Sequence, residues 1–123
     1  MKRVRVAEPG QVREGELLAV KAEGIAILLT RVNGAVHAIE NKCPHLGLSM
    51  ARGSLMDGVL RCPWHGSRFD VCTGRNVDWV NAVVGIPMPR WTHRLIALGR
   101  EPAPVKTLAV EHDEQHVFVI IAE

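Results

Sequence analysis

Two short clusters of cysteine and histidine constrain this chain more than any other feature. The first is Cys43-Pro44-His45, the second is Cys62-Pro63-Trp64-His65, and 16 residues separate His45 from Cys62. Each cluster supplies one thiolate and one imidazole, which are side chains that bind soft and borderline transition metals. If the four side chains share one metal site, the fold must bring two separate loops together.

Short β-prone segments, separated by turns that contain Gly or Asn, recur along the chain. Strands are predicted at residues 4–6, 17–20, 25–32, 36–39, 59–60, 69–72, 105–110 and 116–121. Asn33-Gly34 favours a hairpin between two of them, because both central residues of a type I′ turn adopt positive φ. The pattern predicts an all-β fold of antiparallel sheets, with both Cys-His clusters placed after strand ends at one tip.

The composition excludes several classes of function. The net charge is only +2, and the basic residues lack the clustering that nucleic-acid binding requires. The longest apolar stretch, near residues 25–29, is far shorter than the about 20 residues that cross a bilayer. The N-terminus alternates like a strand and lacks the apolar region of a secretion signal. We therefore expect a cytoplasmic protein with no nucleic-acid partner and no membrane span.

The sequence resembles the Rieske family, whose pattern is Cys-x-His, a spacer, and then Cys-x-x-His. The match extends to Leu46-Gly47 after the first cluster and to Gly66-Ser67-Arg68-Phe69-Asp70 after the second. Residues 105–110, with their hairpin, are similar to the end of Rieske-type ferredoxins. The fold that the resemblance implies is a stack of antiparallel sheets with two cluster-binding loops at one tip.

The resemblance also implies one Rieske-type 2Fe-2S cluster. Its ligands would be Cys43, His45, Cys62 and His65. The two cysteines would bind the inner iron and the two histidines the outer iron, at the edge where electrons enter and leave. Residues 102–104, Pro-Ala-Pro, are a candidate for the proline loop that covers the cluster in this family, and Pro87-Met88-Pro89 compete for that role.

A structural zinc site is the alternative reading of these four residues, since two cysteines and two histidines also form a tetrahedral zinc site. Zinc fingers usually pair Cys with Cys and His with His, whereas each cluster here mixes the two types. The mixed pairs and the flanking residues favour the diiron cluster over a zinc-stabilised interaction module.

Residues 76–100 lack the regular succession of short β-prone segments and turns that is seen in the rest of the chain. Pro87 and Pro89 disfavour a central strand, because proline lacks the N–H that a ladder needs, and Trp79 and Trp91 suggest a cap on the core or a partner-binding patch. We expect one domain over residues 1–123, with an insertion atypical of the family at about 76–100.

Departures from the family pattern bear on the reduction potential. High-potential members carry a disulfide at the positions of Leu48 and Trp64 and a tyrosine at that of Phe69. Ser67 matches a serine that donates a hydrogen bond to a bridging sulfide. Hydrogen bonds to the sulfurs help to set the potential, so these residues predict a low-to-intermediate value. Whether Trp64 packs or docks stays open, and Cys72 is expected to be a small packed residue outside the site.

The resemblance implies an electron-transfer protein, and no enzyme activity is expected. The predicted role is that of a ferredoxin that takes single electrons from a reductase and delivers them to an oxygenase or similar enzyme. The chain has no Gly-rich nucleotide motif and no mononuclear iron domain, so it would depend on these partners. The alternative is a small Rieske-like subunit of a larger reductase of the nitrite-reductase type.

Overall fold

The computed structural model describes residues 2–44, 47–64, 66–78, 82–83, 86–87 and 103–121. Apart from a 3-10 turn at Pro9–Gln11, the elements in these ranges are strands. The strands are β1 (Lys2–Ala7), β2 (Leu18–Ala22), β3 (Ile25–Val32), β4 (Ala35–Glu40), β5 (Ser54–Met56), β6 (Val59–Arg61), β7 (Arg68–Asp70), β8 (Asn76–Asp78), β9 (Ala82–Val83), β10 (Ile86–Pro87), β11 (Thr107–Leu108), β12 (Val110–His112) and β13 (Val117–Ile121). Within the described part, no helix is long and apolar enough to cross a bilayer.

The strands of the described residues form four antiparallel sheets. Their strand orders are β1-β13-β12, β11-β4-β3-β2, β5-β6-β7-β8 and the two-stranded β10-β9. The predicted all-β architecture of antiparallel sheets is therefore confirmed.

Strand β3 lies between two hydrophobic cores. Ile27 and Leu29 belong to the core shared with β13, whereas Leu28 belongs to the core under the Cys-His loops. Successive side chains of a strand point to opposite faces, so a strand covered on both faces is apolar without interruption. This arrangement explains the run of hydrophobic residues in β3 and places the second core beneath the candidate site.

Turn chemistry sets the register of the hairpins. Asn33 and Gly34 have φ of 50° and 82°, and the flanking residues Val32 and Ala35 are paired. The hairpin predicted there is confirmed. Asp57 and Gly58 repeat the geometry, with φ of 51° and 76°, and join β5 to β6.

Two strand predictions need correction. Residues 105–110 were expected to form one strand of the last hairpin, but they divide at Ala109: β11 pairs with β4, and β12 pairs with β13. The division has a physical reason, because Val105 is buried in the core under the Cys-His loops while Leu108 packs against the other core. The strand expected at residues 69–72 ends at Asp70, where a turn closes through Gly74 N–H donating to the Asp70 carbonyl at 2.7 Å.

The segment 76–100 is described only in part. Asn76–Asp78 adds a fourth strand beside β7, and Ala82–Val83 pairs with Ile86–Pro87 in the two-stranded ribbon. Proline is tolerated in such a ribbon because both strands are edges. Trp79 and Trp91 lie outside the described residues, and the insertion stays a prediction.

Candidate metal centre

The first Cys-His loop is closed by two backbone hydrogen bonds around Cys43. The Cys43 N–H donates to the Leu48 carbonyl at 2.9 Å, and the Gly47 N–H donates to the Cys43 carbonyl at 2.7 Å. Gly47 has φ of 74°, a conformation that residues with a Cβ rarely adopt. The glycine therefore allows the chain to turn back within five residues of the cysteine.

The second loop repeats this arrangement around Cys62. The Cys62 N–H donates to the Ser67 carbonyl at 2.7 Å, and the Gly66 N–H donates to the Cys62 carbonyl at 3.2 Å. Gly66 also has positive φ, 79°. In both loops the backbone of the cysteine is hydrogen-bonded to the fourth and fifth residues after it, so the two cysteines have the same backbone environment.

Both cysteines are buried in a single hydrophobic core. Cys43 is 3% exposed and Cys62 is 2% exposed. The same core contains Leu28, Ile39, Met50, Leu60, Phe69, Val71 and Val105. The structure thus brings the cysteines of the two loops into one cluster of buried side chains.

The two histidines of the predicted ligand set lie outside the described residues. Among the described ones, no group of three or more His, Cys, Asp or Glu side chains is placed to hold a metal ion. That result is expected, because only Cys43 and Cys62 of the four candidates belong to the described part. The complete set of Cys43, His45, Cys62 and His65 stays a prediction.

Ser67 supplies an independent observation at the second loop. Its side chain is fully buried, and its Oγ has no hydrogen-bond partner in the described part of the chain. Leaving a buried hydroxyl unsatisfied is costly. An acceptor at this place, such as a sulfide of an iron-sulfur cluster, would satisfy it, and the residues present therefore fit such a group.

A depression adjoins the first loop. It has a volume of about 420 Å³, and Cys43, Pro44 and Pro104 contribute to its lining together with Lys42 and Lys106. Pro104 belongs to the Pro-Ala-Pro segment that was a candidate for a covering loop. Pro104 lines the same depression as Cys43, as that role requires, and Glu40 joins the two lysines there, so the lining carries charges of both signs.

Trp64 connects the second loop to the first. It is 39% exposed, and its indole N–H donates to the Ser49 carbonyl at 2.9 Å. Leu48, the residue before Ser49, is 38% exposed. Trp64 therefore makes a hydrogen bond between the two loops, a role that the sequence did not indicate.

The prediction that Cys72 is a packed residue is wrong. Cys72 is exposed, and its Sγ lies 3.4 Å from Nε2 of His37. Partial desolvation and the neighbouring Asp70 carboxylate raise the pKa of the thiol. The two residues are 35 positions apart, so no local sequence signal could have paired them.

The chain is similar to known proteins in sequence and in structure. A family model described as Rieske [2Fe-2S] domain matches residues 2–89. The chain is 42% identical over 65 residues to the ferredoxin component of the naphthalene 1,2-dioxygenase system of Pseudomonas aeruginosa, a match that covers 53% of this chain and 62% of that protein. It is 45% identical over 76 residues to apoptosis-inducing factor 3 of Homo sapiens, covering 62% of this chain and 12% of that protein.

A solved structure is similar over nearly the whole chain. It is the ferredoxin of carbazole 1,9a-dioxygenase from Nocardioides aromaticivorans IC177, with a TM-score of 0.70, 25% identity and 97% coverage of both chains. The curated relatives are longer than their matched parts, and the chain spans less than two thirds of their length.

Proposed function

Because the chain belongs to the Rieske [2Fe-2S] domain family, we propose that it carries single electrons through one 2Fe-2S cluster as the ferredoxin of an oxygenase system. The observation that carries this proposal is the convergence of Cys43 and Cys62. They are buried in one core by two loops with the same hydrogen-bond pattern. The named ferredoxin components of dioxygenase systems support the role.

We assign the cluster ligands as Cys43 and Cys62 on one iron and His45 and His65 on the other. When bound, the cluster supplies a centre that accepts and releases one electron. Burial of the two cysteines would shield their thiolates from water, and the buried Ser67 hydroxyl would donate a hydrogen bond that stabilises the negative charge added by reduction.

The partners that this function requires are an electron-donating reductase and an electron-accepting oxygenase. Leu48 and Trp64 give the loop tips partly exposed apolar surface, of the kind enriched at protein interfaces. We place the docking surface at these tips and the protein in the cytoplasm. An exposed thiol such as that of Cys72 is compatible with a reducing compartment.

The decisive experiment is purification without added metal, followed by visible absorbance, iron and sulfide assays, and EPR after reduction. We expect two irons and two sulfides per chain, as the cluster type requires, with a rhombic EPR signal. Cys62→Ser should lose the cluster, whereas the matched control Cys72→Ser should keep it. A colourless wild type loaded with zinc would refute the proposal.

A second candidate is a module of a larger redox protein. It is favoured by the match to apoptosis-inducing factor 3, in which the similar residues make up 12% of the protein. Size-exclusion chromatography of the native protein separates the candidates. A carrier elutes alone and reduces an oxygenase in trans, whereas a subunit copurifies with a larger chain in constant ratio.

A further inference from the structure

We propose that Trp64 is a positioning residue, whose indole hydrogen bond to Ser49 holds the two cluster loops at a fixed spacing. The proposal rests on the function proposed above and adds to it a device that retains the cluster. It joins the residue between Cys62 and His65 to the segment that follows the first loop.

Ser49, whose carbonyl accepts this bond, is held by hydrogen bonds that do not involve Trp64. The Ser49 Oγ lies 3.0 Å from Nδ2 of Asn41, and the Asn41 Oδ1 accepts the Met50 N–H at 2.7 Å. The backbone N–H of Asn41 donates to the Ala26 carbonyl of β3 at 2.8 Å. Through Asn41, Ser49 is therefore attached to strand β3 of the β11-β4-β3-β2 sheet.

A continuous chain of hydrogen bonds follows from these contacts. It runs from Ala26 of β3 through Asn41 and Ser49, which lie on either side of the first loop, to Trp64 in the second loop. Leu48 and Trp64 are also the positions at which the family resemblance places a disulfide in high-potential members. In this chain the hydrogen bond runs from Trp64 to Ser49, the residue that follows Leu48.

The bond controls the spacing of the loops and has little part in the overall fold. Cys43 and Cys62 belong to the buried core, whereas Trp64 is not among the residues of that core and lies partly exposed at the surface. Loss of the bond should let the second loop open more often, and an open loop exposes the cluster to chelators and to solvent.

The test removes the N–H and keeps the shape of the side chain. Site-specific replacement of Trp64 by benzothienylalanine substitutes sulfur for the indole nitrogen, and Trp64→Phe is the simpler companion variant. The matched control is Leu48→Ala, which removes a side chain of similar exposure on the first loop without a hydrogen bond. Each protein is loaded with its cluster, and the bleaching of visible absorbance by EDTA is followed at neutral pH.

We expect both Trp64 variants to lose the cluster about three- to tenfold faster than the wild type, the factor expected for one hydrogen bond of ordinary net strength. Leu48→Ala should stay within about twofold. Hydrogen exchange at the Gly66 amide should quicken in the Trp64 variants and stay unchanged in the control.

Wild-type bleaching and exchange rates in the benzothienylalanine protein would overturn the proposal. A Trp64 variant that folds by circular dichroism but cannot retain a cluster would support it. Failure of the wild type itself to hold iron and sulfide would instead refute the proposed function, so the two failures are distinguishable.

Discussion

Gly53 offers the sharpest test of how closely the strands approach the second loop. A Cβ built on Gly53 would lie 2.3 Å from the carbonyl oxygen of Arg61 and 3.0 Å from Cδ1 of Leu60. Real Cβ atoms essentially never come within 3.0 Å of such atoms. The Gly53→Ala variant must therefore displace backbone by at least 3.0 − 2.3 = 0.7 Å. Overpacking of this kind costs about 1–3 kcal/mol, and Arg61 directly precedes Cys62.

The assay is thermal unfolding of the cluster-loaded protein, followed by far-ultraviolet circular dichroism together with the visible spectrum. Gly53→Ala should lower the midpoint by several degrees and alter the visible spectrum, because the strand that leads to Cys62 is displaced. The matched control is Gly10→Ala, whose added Cβ meets nothing within 4 Å. If both variants unfold at the wild-type temperature with unchanged spectra, the close approach of Gly53 to Arg61 is refuted.

Three further predictions concern single side chains. Ser67→Ala should lower the reduction potential by about 60 mV, which is about 1.4 kcal/mol for a one-electron couple; a dye-mediated redox titration that finds no change would contradict the donor role. Asp70→Asn should lower the pKa of the Cys72 thiol, because it removes the nearby negative charge; alkylation by iodoacetamide at pH 8 should then be faster, and equal rates would count against this electrostatic cause. Backbone hydrogen bonds lower the pKa of Asp113 below its ordinary 3.8, so its carboxylate stabilises the fold above that pH and the effect is lost as the pH falls through the lowered pKa. Wild type and Asp113→Ala should therefore unfold at urea concentrations that converge in acid, and a gap independent of pH would exclude this linkage.

Local turn chemistry was predictable from the sequence where the residues have a strong preference for positive φ. Asn33-Gly34 gave the correct hairpin and register because Asn and Gly both tolerate that region. Glu23 and Gly24 form a turn of the same kind, with φ of 50° and 79°, yet Glu is uncommon at positive φ. The sequence rules therefore identified the first turn and gave no comparable signal for the second.

Features that depend on contacts between distant parts of the chain were not predictable. The β-prone residues 105–110 favour one continuous strand, and their sequence does not reveal that two different cores take up its side chains. The contact of Cys72 with His37 arises in the same way, since the turn after β7 meets strand β4 only in the folded chain. Hydrophobic periodicity and strand propensity describe one segment at a time, and they do not show which distant segment it contacts in the fold.

The candidate site was predictable to the extent that its chemistry is encoded by spacing. The residue types at 43, 45, 62 and 65 left a zinc site open, and the mixed pairing with the flanking residues favoured the diiron cluster, which stays a prediction. In the structure Cys43 and Cys62 lie in one core. The hydroxyl of Ser67 was matched through the family resemblance, but its burial without a partner is a property of the fold. The indole bond to Ser49 had no sequence signal, because a backbone carbonyl is present at every residue.

Each Cys-His loop has a buried inner end, at Cys43 or Cys62, and a partly exposed outer end, at Leu48 or Trp64. This arrangement suits the proposed electron carrier. At the inner end, Cys43 and Cys62 are held by backbone hydrogen bonds and lie in one hydrophobic core. At the outer end, Leu48 and Trp64 are partly exposed, so a partner can approach the loop tips without opening the core. Hydrogen bonds to the sulfurs and solvent exposure both set the potential of such a centre. A substitution at the inner end should therefore change potential and cluster retention, whereas a substitution at Leu48 should change partner affinity with little effect on either.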